Sequence, residues 1–173
     1  MKNDFVMPIL VLTLICLIFT GALAFTNSIT EPIIAAAAAE RENSARYALI
    51  PAAEGFELIA VDGLPATVRE IYKSTNDVGF IFIVTANGYG GELRIMCGID
   101  ATGTIIRSSV LAHSETKGLG AKIEDPPFAD QFAGVDRQLV GVVAISGATI
   151  STNAYMNAIR DAFAAYDLIG GAS

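Results

Sequence analysis

Histidine occurs once in this sequence, at His113, and cysteine twice, at Cys16 and Cys97. That scarcity excludes a classical zinc or haem centre, which needs several such ligands at set spacings. A disulfide is excluded as well, because Cys16 falls in a long apolar run and Cys97 in a strand-like one. Any Ser-His-Asp hydrolase would have to use His113 as its base. Positive charge is also scarce: 11 Lys and Arg stand against 18 Asp and Glu, and no basic run occurs. Nucleic acid is therefore not an expected partner. The acidic balance suits solubility beside an anionic membrane.

Charge of either sign is missing from Phe5 to Phe25, FVMPILVLTLICLIFTGALAF. A helix of that length rises about 31 Å, which matches the hydrocarbon core of a bilayer. Pro8 lies in its first turns, where a missing N–H does little harm. Ala22-Leu23-Ala24 resembles a signal-peptidase site, with Lys2 as the basic flank. Against cleavage, the run is longer than the usual signal core and Asp4 offsets Lys2, so an uncleaved anchor is the expectation. Cys16 follows Ile15 rather than a small residue, which argues against a lipoprotein signal. Lys2 precedes the span, whereas Glu31 and Glu40 come before the first arginine, Arg41. That asymmetry predicts a cytoplasmic N-terminus and an extracytoplasmic domain. With no ionisable residue inside it, the span is not expected to conduct ions.

The chain divides on this reading into an anchor at 1–27, a connecting helix at 28–50 and a domain at 51–173. SITEP at 28–32 reads as a helix start, with Ser28 or Thr30 as cap and Pro32 in the first turn. Pro51 stops that helix. Strand-like runs follow at 56–61, 67–74, 78–86, 92–100 and 104–112, separated by Gly, Asn and Asp clusters, which predicts antiparallel hairpins. A loop-rich stretch at 113–138 holds a short helical piece near Phe128 to Phe132. QLVGVVAI at 138–145 reads as one more strand, and a helix runs from about Ile150 to Leu168. The predicted class is α+β: an N-terminal membrane helix and connecting helix, then an antiparallel sheet with a C-terminal helix.

Two clusters carry chemistry. ISGATISTNA at 145–154 sets Ser146, Thr149, Ser151 and Thr152 around Gly147, just ahead of the last helix. Gly147 lets the backbone turn tightly and approach a ligand. A helix N-terminus offers free N–H groups to an anion, and the hydroxyls add donors for phosphate oxygens. The plainer reading is that Thr149 or Ser151 caps the helix. It is not a P-loop, since the first glycine, the spacing and the lysine are missing. The second cluster is HSETKGLGAKI at 113–123. Here Gly118 and Gly120 free the backbone to wrap a flat ligand, Leu119 offers an apolar contact, and His113 and Glu115 are suited to pair at its edge. The plainer reading is a solvated surface loop.

SGAT at 146–149, HSETKGLG at 113–120 and the glycine-rich NGYGGELRIMCGID at 87–100, taken in order behind an N-terminal span, resemble the membrane-anchored FMN-binding domain. That domain is found in the G subunit of the Rnf electron-transport complex and the C subunit of the sodium-translocating NADH:quinone oxidoreductase, and length and the HSET form favour the former. The resemblance implies covalent FMN, transferred from FAD by a flavin transferase and joined through its phosphate to Thr149. Ser146, Gly147 and Ala148 would shape the turn, and Ser151 and Thr152 would lie near the phosphate. Glu115, Thr116, Gly118, Leu119 and Gly120 would border the flavin. It also implies an electron-carrier subunit rather than a stand-alone enzyme, with other membrane and redox subunits of an ion-translocating ferredoxin:NAD oxidoreductase as partners and no catalytic residue of its own.

Two positions depart from the family pattern. Val143 stands where an aspartate usually lies three residues before the serine, and the transferase is thought to read that aspartate. Lys117 replaces the proline of ETPGLG; as a loop lysine it is expected to face water. Two further readings stay open: a non-flavinylated binding or structural module of the same fold, and a hydrolase with Ser146 as nucleophile. The latter lacks the glycine two places before the serine that a nucleophile elbow needs.

Overall fold

The computed structural model describes residues 3–170, with one long helix followed by a five-stranded sheet and a C-terminal helix. Helix α1 runs from Asn3 to Leu49. It does not break at 28–32, as the sequence suggests, but continues through both Pro8 and Pro32. Alanine-rich sequence follows Pro32 directly, and its high helix propensity carries the helix past the one lost hydrogen bond.

Two compact units divide the chain, Met1–Asn43 and Ser44–Ser173. In the first, the helix is long and apolar enough to cross a membrane. Large apolar side chains from Val6 to Ile34 are exposed at successive helical positions and so on every face. An exterior apolar all round suits lipid rather than water. Two of its hydroxyls are satisfied locally: Thr13 donates to the Ile9 carbonyl and Thr26 to that of Ala22, each one turn back. Neither of these two hydroxyls needs an outside partner.

The second unit is an antiparallel meander, β1 (Phe56–Ile59), β2 (Val68–Ser74), β3 (Gly79–Asn87), β4 (Glu92–Asp100) and β5 (Ile105–Ala112), in sequential order. Helix α2 (Pro126–Ala129) lies between two short 3₁₀ turns, and α3 spans Thr149–Leu168. Both sheet faces are covered. Phe82, Val84, Leu93, Ile95 and Cys97 face α3 and join Tyr155, Ile159 and Phe163. Ile81, Ile83 and Met96 face the other way, onto Leu49, Ile50 and Ala53. Double coverage explains why β3 reads as a continuous apolar run instead of an alternating one.

Segment 138–145 is not a strand. Leu139 adopts φ +52 and Gly141 φ +91, and the chain turns there instead of extending. Beyond the turn, the Gln131 side chain serves the backbone in place of a neighbouring strand. Its Oε1 accepts the Val143 N–H at 2.7 Å and its Nε2 donates to the Val143 carbonyl at 3.4 Å. β-Branched composition alone does not make a strand when the segment does not pair with another strand.

Candidate functional site

The chain enters α3 through a tight turn at Ser146–Gly147. Gly147 takes φ +81, and a side chain there would approach Leu119 Cδ1 to 3.3 Å. Ala148, not a hydroxyl residue, holds the position ahead of the helix, and no side chain caps it. Thr149 and Ser151 therefore do not play the capping role that their position suggests. Ser151 is buried and turned away, and Thr149 is the exposed first residue of α3. The first N–H groups of a helix have no acceptor within it, and they carry the positive end of its dipole.

The Ser151 hydroxyl donates to Glu115 Oε2 at 2.8 Å, and the Gly90 N–H donates to Oε1 at 3.1 Å. Glu115 is only 7% exposed. It fits because its neighbours are small: a Cβ on Gly88 or on Gly120 would collide with one or the other carboxylate oxygen. Gly120 and the glycine-rich β3–β4 turn thus make room for a buried acid. The expected His113–Glu115 pair exists through the backbone only. His113 Nδ1 accepts the Glu115 N–H at 3.0 Å, and Nε2 faces Glu124 Oε2 at 3.2 Å. With both ring nitrogens engaged, the histidine has no free nitrogen to serve as base for Ser146.

Around this lock lies a cavity of ≈ 350 Å³. Its walls bring the two sequence clusters together: Glu115, Thr116, Leu119 and Gly120 from one, and Gly147, Ala148, Thr149 and Ser151 from the other. Tyr89 and Ile150, which sequence reasoning misses, complete it. Tyr89 stands 72% exposed at the tip of the β3–β4 turn. The one available signal for it is an aromatic residue set inside NGYGG. Four expected residues are outside the wall. Ser146 and Gly118 face solvent, His113 is held at Glu124, and Thr152 is fully buried with its Oγ1 accepting the Ile145 N–H at 3.3 Å. Lys117 is exposed, as expected, and is not part of the wall.

A family model described as the FMN-binding domain matches residues 88–164, and one described as the RnfG N-terminal region matches 10–49. The G subunit of the ion-translocating oxidoreductase complex of Methanosarcina acetivorans is 32% identical over 89% of this chain and 90% of its own. This chain belongs to the family of G subunits of ion-translocating oxidoreductase complexes. The G subunit of the Na(+)-translocating ferredoxin:NAD(+) oxidoreductase complex of Acetobacterium woodii is 29% identical, over 91% and 89% of the two chains. A crystal structure of Shewanella oneidensis NqrC, 19% identical, superposes with a TM-score of 0.49 over 66% of this chain and 67% of that one. In this G-family chain, every residue of the cavity wall, from Tyr89 to Ser151, falls inside the stretch matched as FMN-binding domain.

The residues present suit FMN. The cavity has the volume of a small-ligand site. Tyr89, Leu119 and Ile150 give it apolar surface for a flat ring, and the uncapped start of α3 gives N–H donors for a phosphate.

Proposed function

We propose that this chain is a membrane-anchored electron-relay subunit carrying FMN, joined by a phosphoester to Thr149 Oγ1, within an ion-translocating ferredoxin:NAD oxidoreductase of the Rnf type. One observation carries the reading: the exposed hydroxyl residue at the head of an uncapped helix borders an apolar cavity that the FMN-binding stretch encloses. FMN, when bound, supplies reversible electron transfer. The chain's own groups do the rest. Thr149 tethers, the first N–H groups of α3 hold a phosphate's charge, and Leu119, Tyr89 and Ile150 exclude water from one side of the ring. A flavin transferase attaches the group from FAD, with AMP leaving as the threonine oxygen takes its place on phosphorus. The redox partners are cofactors of neighbouring subunits, so no substrate pocket of another kind is required. The Lys2 and Glu31/Glu40 asymmetry supports a cytoplasmic N-terminus, with the domain on the outer side. A covalent link suits that side, where lost FMN could not be replaced from the cytosol.

A second reading is a non-flavinylated module of the same fold. Val143 favours it, as a 69% exposed valine where the transferase is thought to read an aspartate. The intact mass of protein purified from its own membranes, with peptide mapping over 138–160, decides between the two. An added FMN less one water on Thr149, lost in Thr149→Ala, is the expected result. An unmodified peptide overturns the covalent reading and leaves the second.

A further inference from the structure

Three separate stretches of chain wall the cavity: the β3–β4 turn with Tyr89, the loop with Thr116 and Leu119, and the first turn of α3 with Thr149. Nothing in the local sequence fixes their spacing, because two of them are turns without regular secondary structure and the third is a helix end without a cap. The Glu115 carboxylate meets all three. It belongs to the loop itself, takes the Gly90 N–H next to Tyr89, and takes the Ser151 hydroxyl two positions past Thr149. Its own N–H is held by His113 Nδ1, and the same ring's Nε2 faces Glu124 outside the cavity.

A buried carboxylate is a costly way to fill space, since it must be fully hydrogen-bonded to be tolerated. A merely structural filler at this point would be an apolar side chain. Instead, glycines at 88 and 120 leave the space that this acid occupies, and a buried serine is aimed at it from a helix whose cap it does not provide. The hydrogen-bonding groups and the space thus converge on the Glu115 carboxylate.

We propose that Glu115 is the positioning residue of the FMN site, locking the β3–β4 turn and the start of α3 to its own loop so that the walls which receive the ring and the hydroxyl which tethers it keep one arrangement. This rests on the FMN reading above. It adds that the arrangement is set by a residue acting through Ser151 and Gly90.

The full-length protein in detergent, with Glu115→Gln, Glu115→Ala and Ser151→Ala variants, tests it. Gln keeps an acceptor for Gly90 and a polar partner for Ser151. Two readouts are taken on each: the visible circular dichroism of the flavin, which reports how rigidly a ring is held, and amide hydrogen exchange by peptide. The expected result is a strongly reduced flavin dichroism band in Glu115→Ala and Ser151→Ala, substantially kept in Glu115→Gln. Exchange should rise at least tenfold in peptides covering 88–91 and 116–121, with the β3 core peptide over 80–84 unchanged. Unchanged dichroism and exchange in both alanine variants overturn the proposal. So does faster exchange throughout β3, which would make Glu115 a residue of the fold at large. If the parent carries no FMN by mass, the FMN reading fails, and the exchange pattern alone decides whether the lock exists.

Discussion

The Tyr155 hydroxyl donates a 2.8 Å hydrogen bond to Ser108 Oγ, joining α3 to β5 inside the buried layer between them. Both partners are shut off from water, so removing one leaves the other without a replacement. Tyr155→Phe should lower stability by about 1–2 kcal/mol, read as a lower urea midpoint with an unchanged slope. Pairing it with Ser108→Ala should cost less than the sum of the two single changes, because the orphaned hydroxyl is then gone as well.

Cys97 faces the same layer. Burial pushes its thiol far above the ordinary range, so the reactive thiolate is suppressed. In the native protein at pH 8, iodoacetamide should leave the Cys97 peptide unmodified, and guanidinium should expose it to full labelling. The sign for stability follows. A thiol held protonated by the fold releases its proton on unfolding once the pH passes about 9, so its contribution is intact at neutrality and declines in alkali.

Asp100 closes the β4–β5 turn. Partial burial acts to raise its pKa, but the Thr102 hydroxyl and the Thr104 and Thr102 amides outweigh it and hold the carboxyl below its ordinary 3.8. A carboxylate favoured by the fold stabilises above its unfolded pKa and loses that effect as the pH falls. Asp100→Asn should therefore unfold at lower denaturant concentration than the parent at pH 7. The difference should shrink as the pH drops below 3.8.

Val143 offers a test of maturation. Its side chain is exposed and its backbone is tied to Gln131, so an aspartate is accommodated without disturbing the core. On the covalent reading with an aspartate-reading transferase, Val143→Asp should raise the fraction of protein carrying FMN on Thr149, measured by intact mass after co-expression with the transferase. Equal occupancy in the two proteins would mean that this position is not what the transferase reads here.

The strands were legible because turns announce them: AspGly at 62–63, AsnAsp at 76–77 and AsnGly at 87–88 bracket β-rich runs that pair as a simple meander. Meanders need only neighbouring segments, which sequence order already supplies. QLVGVVAI misled because valine and isoleucine make a strand only when the segment pairs with another, and Leu139 takes a left-handed backbone that composition does not announce. Pro32 misled in the opposite sense, reading as a beginning inside an unbroken helix. At the site, the approach of HSETKGLG to SGAT followed from the family resemblance. The Glu115–Ser151 bond is a contact between residues 36 apart in sequence, and no local pattern encodes it.

Leu49 and Ile50 close the sheet face opposite α3, with Ile50 reaching over Gly98, where a Cβ would stand 3.3 Å from its Cγ1. A water-soluble fragment for crystallisation or electrochemistry therefore should not start at Pro51, although α1 ends just before it, at Leu49. Cut at that point, Ile81, Ile83 and Met96 would lose Leu49 and Ile50 and keep only Ala53 and partly buried neighbours as cover, which exposes an apolar face prone to association. Begun at Ser44, it would carry its own lid.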